Sequence, residues 1–150
     1  MLLVIGYGNE LRRDDGVGPR VARAVADWAV PGVRALAVHQ LTPELADDIA
    51  RAEEVMFVDA AVDGGTAQVS VQPVRAALSN SPTNHATSPP ALLALAEMLF
   101  GRRPVAWLLT VAGRDLDFGE GLSSEAEKDV AQALRYVRLW IINNQEADHP

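Results

Sequence analysis

The stretch "LLVIGYGNELRRDDGVG", Leu2 to Gly18, decides how the chain begins to fold. Leu2 to Tyr7 is a near-continuous apolar run closed by glycine, as expected of a strand buried on both faces. From Gly16 onward, Val17, Val21, Ala24, Val25 and Trp28 recur at helical spacing, and Pro31-Gly32 ends that segment. A strand, a glycine-rich turn and a helix open a parallel α/β sheet. Such turns commonly hold phosphate, but this one carries Asp14 and Asp15 at the helix start, where carboxylates repel an anion. The dinucleotide fingerprint also fails, because Leu11 stands where its third glycine is needed. The P-loop fails too, since no Lys-Ser or Lys-Thr follows the glycines. The glycines therefore read as freedom for a sharp turn out of the strand. Asp14 or Asp15 is the expected N-cap of the helix.

The rest of the chain continues the alternation. Val33 to Val38 reads as a second strand, and Thr42-Pro43-Glu44 as the N-cap, first-turn proline and first-turn acid of a helix through Ala50. Val55 to Val58 is a buried strand stopping at Asp59-Ala60, Asp63-Gly64-Gly65 a turn, and Ala67 to Val74 a more exposed strand. Residues 79–90 form a polar loop, whose last residues, Ser88-Pro89-Pro90, start a helix with Leu92, Leu95, Ala96 and Leu99 on one face, ended by Gly101. Val105 to Val111 is the last strand. Ser124-Glu125-Ala126-Glu127 is a capping box, opening a helix with Ala126, Val130, Ala133, Leu134, Val137 and Ile141 in one stripe, and residues 144–150 fray. The pattern predicts an α/β sandwich with a largely parallel sheet, residues 1–150 forming a single domain.

Bulk properties exclude several functions. The net charge of −7 disfavours a polyanionic partner, so no nucleic acid is expected. With no cysteine, thiolate metal sites, disulfides and cysteine nucleophiles are ruled out. The N-terminal apolar run is too short for a signal peptide or a span, which predicts a cytoplasmic protein without membrane insertion. Neither G-x-S-x-G nor H-E-x-x-H occurs.

In open α/β sheets the functional crevice lies beyond the carboxyl ends of the strands. The residues that fall there are Asn9, Glu10, Asp14 and Asp15 after the first strand, and Asp59 and Asp63 after the third. Asn84 and His85 come from the polar loop, and Arg114 and Asp115 follow the last strand. Asp15, Asp59 and His85 together make an oxygen, oxygen and nitrogen donor set suited to nickel, zinc, iron or manganese. The same groups suit activation of water for hydrolysis. Each also has a plain structural reading: helix cap, turn cap, and solvated loop histidine.

Four blocks carry a resemblance: "IGYGNELRRDDGVGPRVA" at 5–22, "FVDAAVDGG" at 57–65, "HATSPPALLALAEMLFG" at 85–101 and "VAGRDLDFGEGLS" at 111–123. Together they resemble the hydrogenase maturation proteases, nickel-dependent endopeptidases that process the large subunit of NiFe hydrogenases. The resemblance implies a three-layer sandwich with a twisted, mostly parallel five-stranded sheet and helices on both faces. It implies that Asp15, Asp59 and His85 bind the metal, with Asp14 the alternative to Asp15, and that Asp15 and Asp59 are catalytic. It implies as partner a NiFe hydrogenase large-subunit precursor, whose C-terminal extension is removed after nickel insertion, the nickel being that of the precursor. Either a metal-bound water or an aspartic-type pair of carboxylates would perform the hydrolysis. Two rival readings are a peptidyl-tRNA hydrolase-like enzyme, which shares the G-x-G-N opening, and a nickel-sensing chaperone that binds the precursor without cutting it. The first would place a histidine soon after that opening, where this chain has Arg12, Arg13, Asp14 and Asp15.

Overall fold

The computed structural model describes residues 1–61, 68–78 and 87–147. Its strands are β1 (Leu2–Tyr7), β2 (Val33–Val38), β3 (Glu54–Ala61), β4 (Val69–Val74) and β5 (Val105–Ala112). The helices are α1 (Val17–Asp27), α2 (Leu45–Arg51), α3 (Pro89–Phe100) and α4 (Ser124–Ala147). The strands form one five-stranded sheet in the order β2-β1-β3-β5-β4, in which β4 alone runs antiparallel.

Strand alternation assigns the two halves of the core. Leu2 and Val4 of β1, with Met56, Val58 and Ala60 of β3, face α1 and α4. Leu3 and Ile5, with Val55 and Phe57, face α2 and α3. Both faces are covered, which is why the central strands read as unbroken apolar runs and not as alternating ones. The edge strand β4 is more exposed and carries Pro73, a residue tolerated where one side of the ladder is open.

Two glycines set the height of α1 on the sheet. A Cβ on Gly6 would lie 1.9 Å from the Gly18 carbonyl oxygen, and one on Gly18 would lie 2.4 Å from that of Tyr7 and 2.5 Å from that of Val58. The first turn of α1 thus presses against the ends of β1 and β3 with no room for any side chain. The main role of these glycines is close approach, beyond the turn freedom expected from the sequence. That freedom is needed at Gly8, with φ of 151°, where a Cβ would also meet the Asp15 carbonyl oxygen at 1.9 Å.

Several boundaries differ from expectation. β3 does not stop at Val58 but continues through Asp59 to Ala61, because β5 pairs with it out to Ala61↔Ala112. Tertiary pairing overrides the low strand preference of aspartate. Thr42 does not cap α2; Thr42 and Pro43 accept the N–H groups of Leu45 and Ala46 in a preceding turn, and the helix begins at Leu45. Leu99 is 62% exposed, and Leu92, Leu93 and Ala96 form the buried face of α3. That helix is apolar nearly all round, so periodicity could not select its face. Its ends are as read: the Ser88 hydroxyl accepts from the Ala91 N–H, and Gly101 closes the helix with φ of 71°. α4 runs through Ala147 with its expected stripe inward.

Candidate active site at the carboxyl edge of the sheet

β1 lies between β2 and β3, so the chain leaves it towards one side and returns on the other. This switch point opens a crevice at the carboxyl ends. The β1–β3 register ends at Gly6↔Val58, which brings Tyr7 and Asp59 alongside each other at the crevice. Asp15 enters from the loop after β1, in a short 3-10 helix spanning Arg13–Gly16.

The Asp15 Oδ2 accepts the Asn9 N–H at 2.7 Å, which ties the carboxylate across its own loop. Its Oδ1 has no hydrogen-bond donor among the described residues. The Asp59 Oδ1 accepts the N–H of Ala60 at 2.7 Å. Burial pushes the Asp59 pKa up, the Ala60 N–H and the Tyr7 hydroxyl pull it down, and the negative charge of Asp15 adds to the rise; the net result is a raised pKa. Burial likewise raises the pKa of the Tyr7 phenol, with the Asp59 carboxylate beside it adding to the effect. The charge of Asp15 thus reaches Asp59, and Tyr7 lies beside Asp59. Tyr7 reads in the sequence as the end of an apolar strand; the signal for its position is its parity with Leu3 and Ile5 on the face where Asp59 follows Phe57.

Asp14 has a different fate. It is fully buried, and its Oδ2 accepts the N–H groups of Arg114 and Asp115, each at 3.0 Å, and the Ser123 hydroxyl at 2.9 Å. Its Oδ1 accepts the Ser123 N–H at 2.8 Å. Burial works against the charge, but these donors outweigh it and hold the Asp14 pKa below the ordinary carboxylate value. Asp14 is thus the anchor of the 113–123 connection, and Asp15 is the acid left facing the crevice. Neither caps a helix, for no side chain caps the 3-10 turn or α1. The cap of α4 also moves back by one residue, and the expected capping box gives way to a simple serine cap. Ser123, not Ser124, accepts the Ala126 N–H at 3.2 Å, because Asp14 holds Ser123 at that position.

Other crevice candidates are engaged elsewhere. Glu10 pairs with Arg23, and Arg114 donates to Asp129 at 2.8 Å and pairs with Glu125 at 2.9 Å, fixing its loop to α4. His85, Asn84 and Asp63 lie outside the described residues. The chain resumes nearby: the Thr87 N–H bonds the Leu41 carbonyl at 3.2 Å, just past the carboxyl end of β2. His39 is exposed immediately after β2 and does not join the two acids in a cluster of three metal-binding groups among the described residues. A groove of about 540 Å³ lies at the opposite edge, between Pro73–Ala76 and Arg103–Trp107. It is lined by arginines without a carboxylate, so its size is no guide to the chemistry.

The fold and site define a doubly wound α/β protein with a carboxylate pair at its switch point. No family model and no curated protein matches the chain. Solved structures do. The hydrogenase 2 maturation peptidase from a Thaumarchaeota archaeon is 26% identical, with a TM-score of 0.71 over 93% of this chain and 97% of that one. The hydrogenase maturating endopeptidase HybD from E. coli is 24% identical, with a TM-score of 0.71 over 95% and 93%. The hydrogenase maturation protease HycI from Thermococcus kodakarensis is 19% identical, with a TM-score of 0.73 over 91% and 88%. The chain is similar along nearly its whole length to the hydrogenase maturation endopeptidases and takes their fold.

Proposed function

We propose that this chain is an endopeptidase that removes the C-terminal extension of a NiFe hydrogenase large-subunit precursor after nickel has been inserted. The observation that carries the reading is the division of labour between adjacent acids: Asp14 is spent on the fold, while Asp15 faces Asp59 across the switch point. Similarity to structures described as maturation endopeptidases supports it. In this reading the nickel belongs to the precursor and is part of the substrate. Asp15, Asp59 and His85 hold it, a donor set that fits because the Asp15 Oδ1 has no donor among the described residues and imidazole suits nickel.

Anchoring the metal end of the precursor brings the scissile bond into the crevice, which supplies positioning worth several kcal/mol of the barrier, about 7 or more in the best-oriented systems. Before nickel binds, Asp59, half-buried and near a second carboxylate, takes up a proton more readily than an ordinary aspartate. A carboxylate oxygen of the pair that nickel leaves free takes the proton of the attacking water and passes it to the departing amine. No helix among the described residues is long and apolar enough to cross a membrane.

Intact-mass analysis of a nickel-loaded precursor tests the proposal. Wild type removes the extension, nickel-free precursor stays intact, and Asp15→Asn, Asp59→Asn and His85→Ala each abolish cleavage while remaining folded. Stable complex formation with no change in mass would instead identify a chaperone. Normal cleavage by any one variant overturns that residue's assignment.

A further inference from the structure

Beside the crevice, two loops meet to form a short, braced lip. Arg12 and Gly119 form a parallel β-bridge, the Gly119 N–H bonds the Leu11 carbonyl at 2.8 Å, and the Arg13 N–H bonds the Gly119 carbonyl at 3.1 Å. The Arg12 guanidinium donates to the Leu116 carbonyl at 3.2 Å and lies 5.4 Å from the centre of the Phe118 ring. Leu11 and Phe118 each stand one residue before the bridge on their own loops. Leu11 is 61% exposed and Phe118 82%, the highest exposure of any large apolar side chain among the described residues.

Two large apolar side chains left in water beside this bridge offer a surface whose burial under a partner chain is favourable. This lip is continuous with the site. The Leu11 N–H bonds the Asn9 Oδ1 at 3.0 Å, and the Asn9 N–H bonds the Asp15 carboxylate at 2.7 Å. Asp14 clamps the other loop through Arg114, Asp115 and Ser123. Whatever lies across Leu11 and Phe118 is therefore held at a set distance from Asp15.

We propose that Leu11 and Phe118 are the lip over which the precursor polypeptide lies as it enters the crevice, an apolar side chain of that segment packing against both. The inference rests on the endopeptidase reading above, since a protein substrate must have its chain led to the carboxylates. Arg12, whose guanidinium has no carboxylate partner among the described residues, stands beside the lip to bond a carbonyl or acidic group of the same segment.

The test is processing of nickel-loaded precursor by the full chain carrying Leu11→Ser and Phe118→Ser together. Precursor affinity is measured separately by titration. The expected result is at least a tenfold rise in KM and in Kd, kcat within about twofold of wild type, and an unchanged thermal midpoint. Leu11→Met with Phe118→Tyr restores KM, and Leu99→Ser, on the exposed face of α3, leaves it unaltered. Wild-type KM and Kd in the double serine variant overturn the lip while leaving the endopeptidase reading intact. Concentration-dependent self-association lost in that variant, with precursor affinity unchanged, assigns the patch to a second copy of the chain and also overturns it. If wild type binds precursor without cutting, the reading of function fails and the lip is judged on Kd alone. If wild type neither binds nor cuts, both fall.

Discussion

Asp14→Asn removes one charge and changes almost no volume, so it isolates what that buried carboxylate contributes. Four donors converge on it: the N–H groups of Arg114, Asp115 and Ser123, and the Ser123 hydroxyl. An asparagine keeps one acceptor oxygen and turns an NH₂ group towards the remaining donors. The Ser123 hydroxyl can rotate to accept, but a backbone N–H cannot. At least one buried N–H therefore loses its partner, at about 1–3 kcal/mol, and the surviving bonds lose their charge assistance. Removing the charge also relieves its desolvation, which keeps the total below a simple sum. We expect a loss of about 2–4 kcal/mol at pH 7 by urea denaturation. At about 2–4 °C per kcal/mol for a chain of this size, the thermal midpoint falls by about 4–16 °C. The sign of the pH dependence follows from the depressed pKa of Asp14. The advantage of wild type over Asp14→Asn is complete above the unfolded aspartate value, about 3.9, and disappears as pH falls through the lower folded value. Amides of the 113–123 connection exchange faster in the variant, because that connection loses its anchor. A stability difference under about 0.5 kcal/mol at pH 7, or one that persists unchanged to pH 2, refutes the assignment of Asp14 as a charged anchor.

Two further outcomes follow from the same geometry. Gly18→Ala places a methyl group 2.4 Å and 2.5 Å from the carbonyls of Tyr7 and Val58, so α1 must lift from the sheet. Overpacking of this kind costs about 3 kcal/mol or more, read as a lowered denaturation midpoint, and a variant as stable as wild type would show that the helix sits further from β1. Asp59→Asn is expected to raise the thermal midpoint even as it ends processing. A raised folded pKa means that Asp59 opposes folding as pH climbs from its unfolded value through its folded one, so the stabilisation is full above the folded value and vanishes below the unfolded one. A midpoint at pH 7 equal to or below that of wild type contradicts it.

The layers and most of the elements were legible in the sequence, because burial on both faces of β1, β3 and β5 leaves long apolar runs. The caps were less so. Thr42 and Ser124 are good capping residues by type, yet Thr42 sits in a turn and Ser123 takes the cap of α4. A cap depends on which residue the surrounding loops hold at the helix start, and Asp14 does that for Ser123 from far along the chain. β3 likewise runs through Asp59 because β5 is there to pair with it.

Adjacent acids of nearly identical chemistry show most clearly where local information stops. By itself, the sequence determined that two carboxylates follow β1, that a third follows the apolar run of β3, and that such positions fall towards the carboxyl ends of an α/β sheet. Those are consequences of periodicity and of turn residues, which act over a few positions. Which of Asp14 and Asp15 faces the crevice was decided only in the tertiary structure. Three N–H groups and a hydroxyl from residues about a hundred positions away take Asp14 out of solvent and leave Asp15 beside Asp59. A buried charge goes where its hydrogen-bond donors are, and those donors exist only once the sheet has assembled.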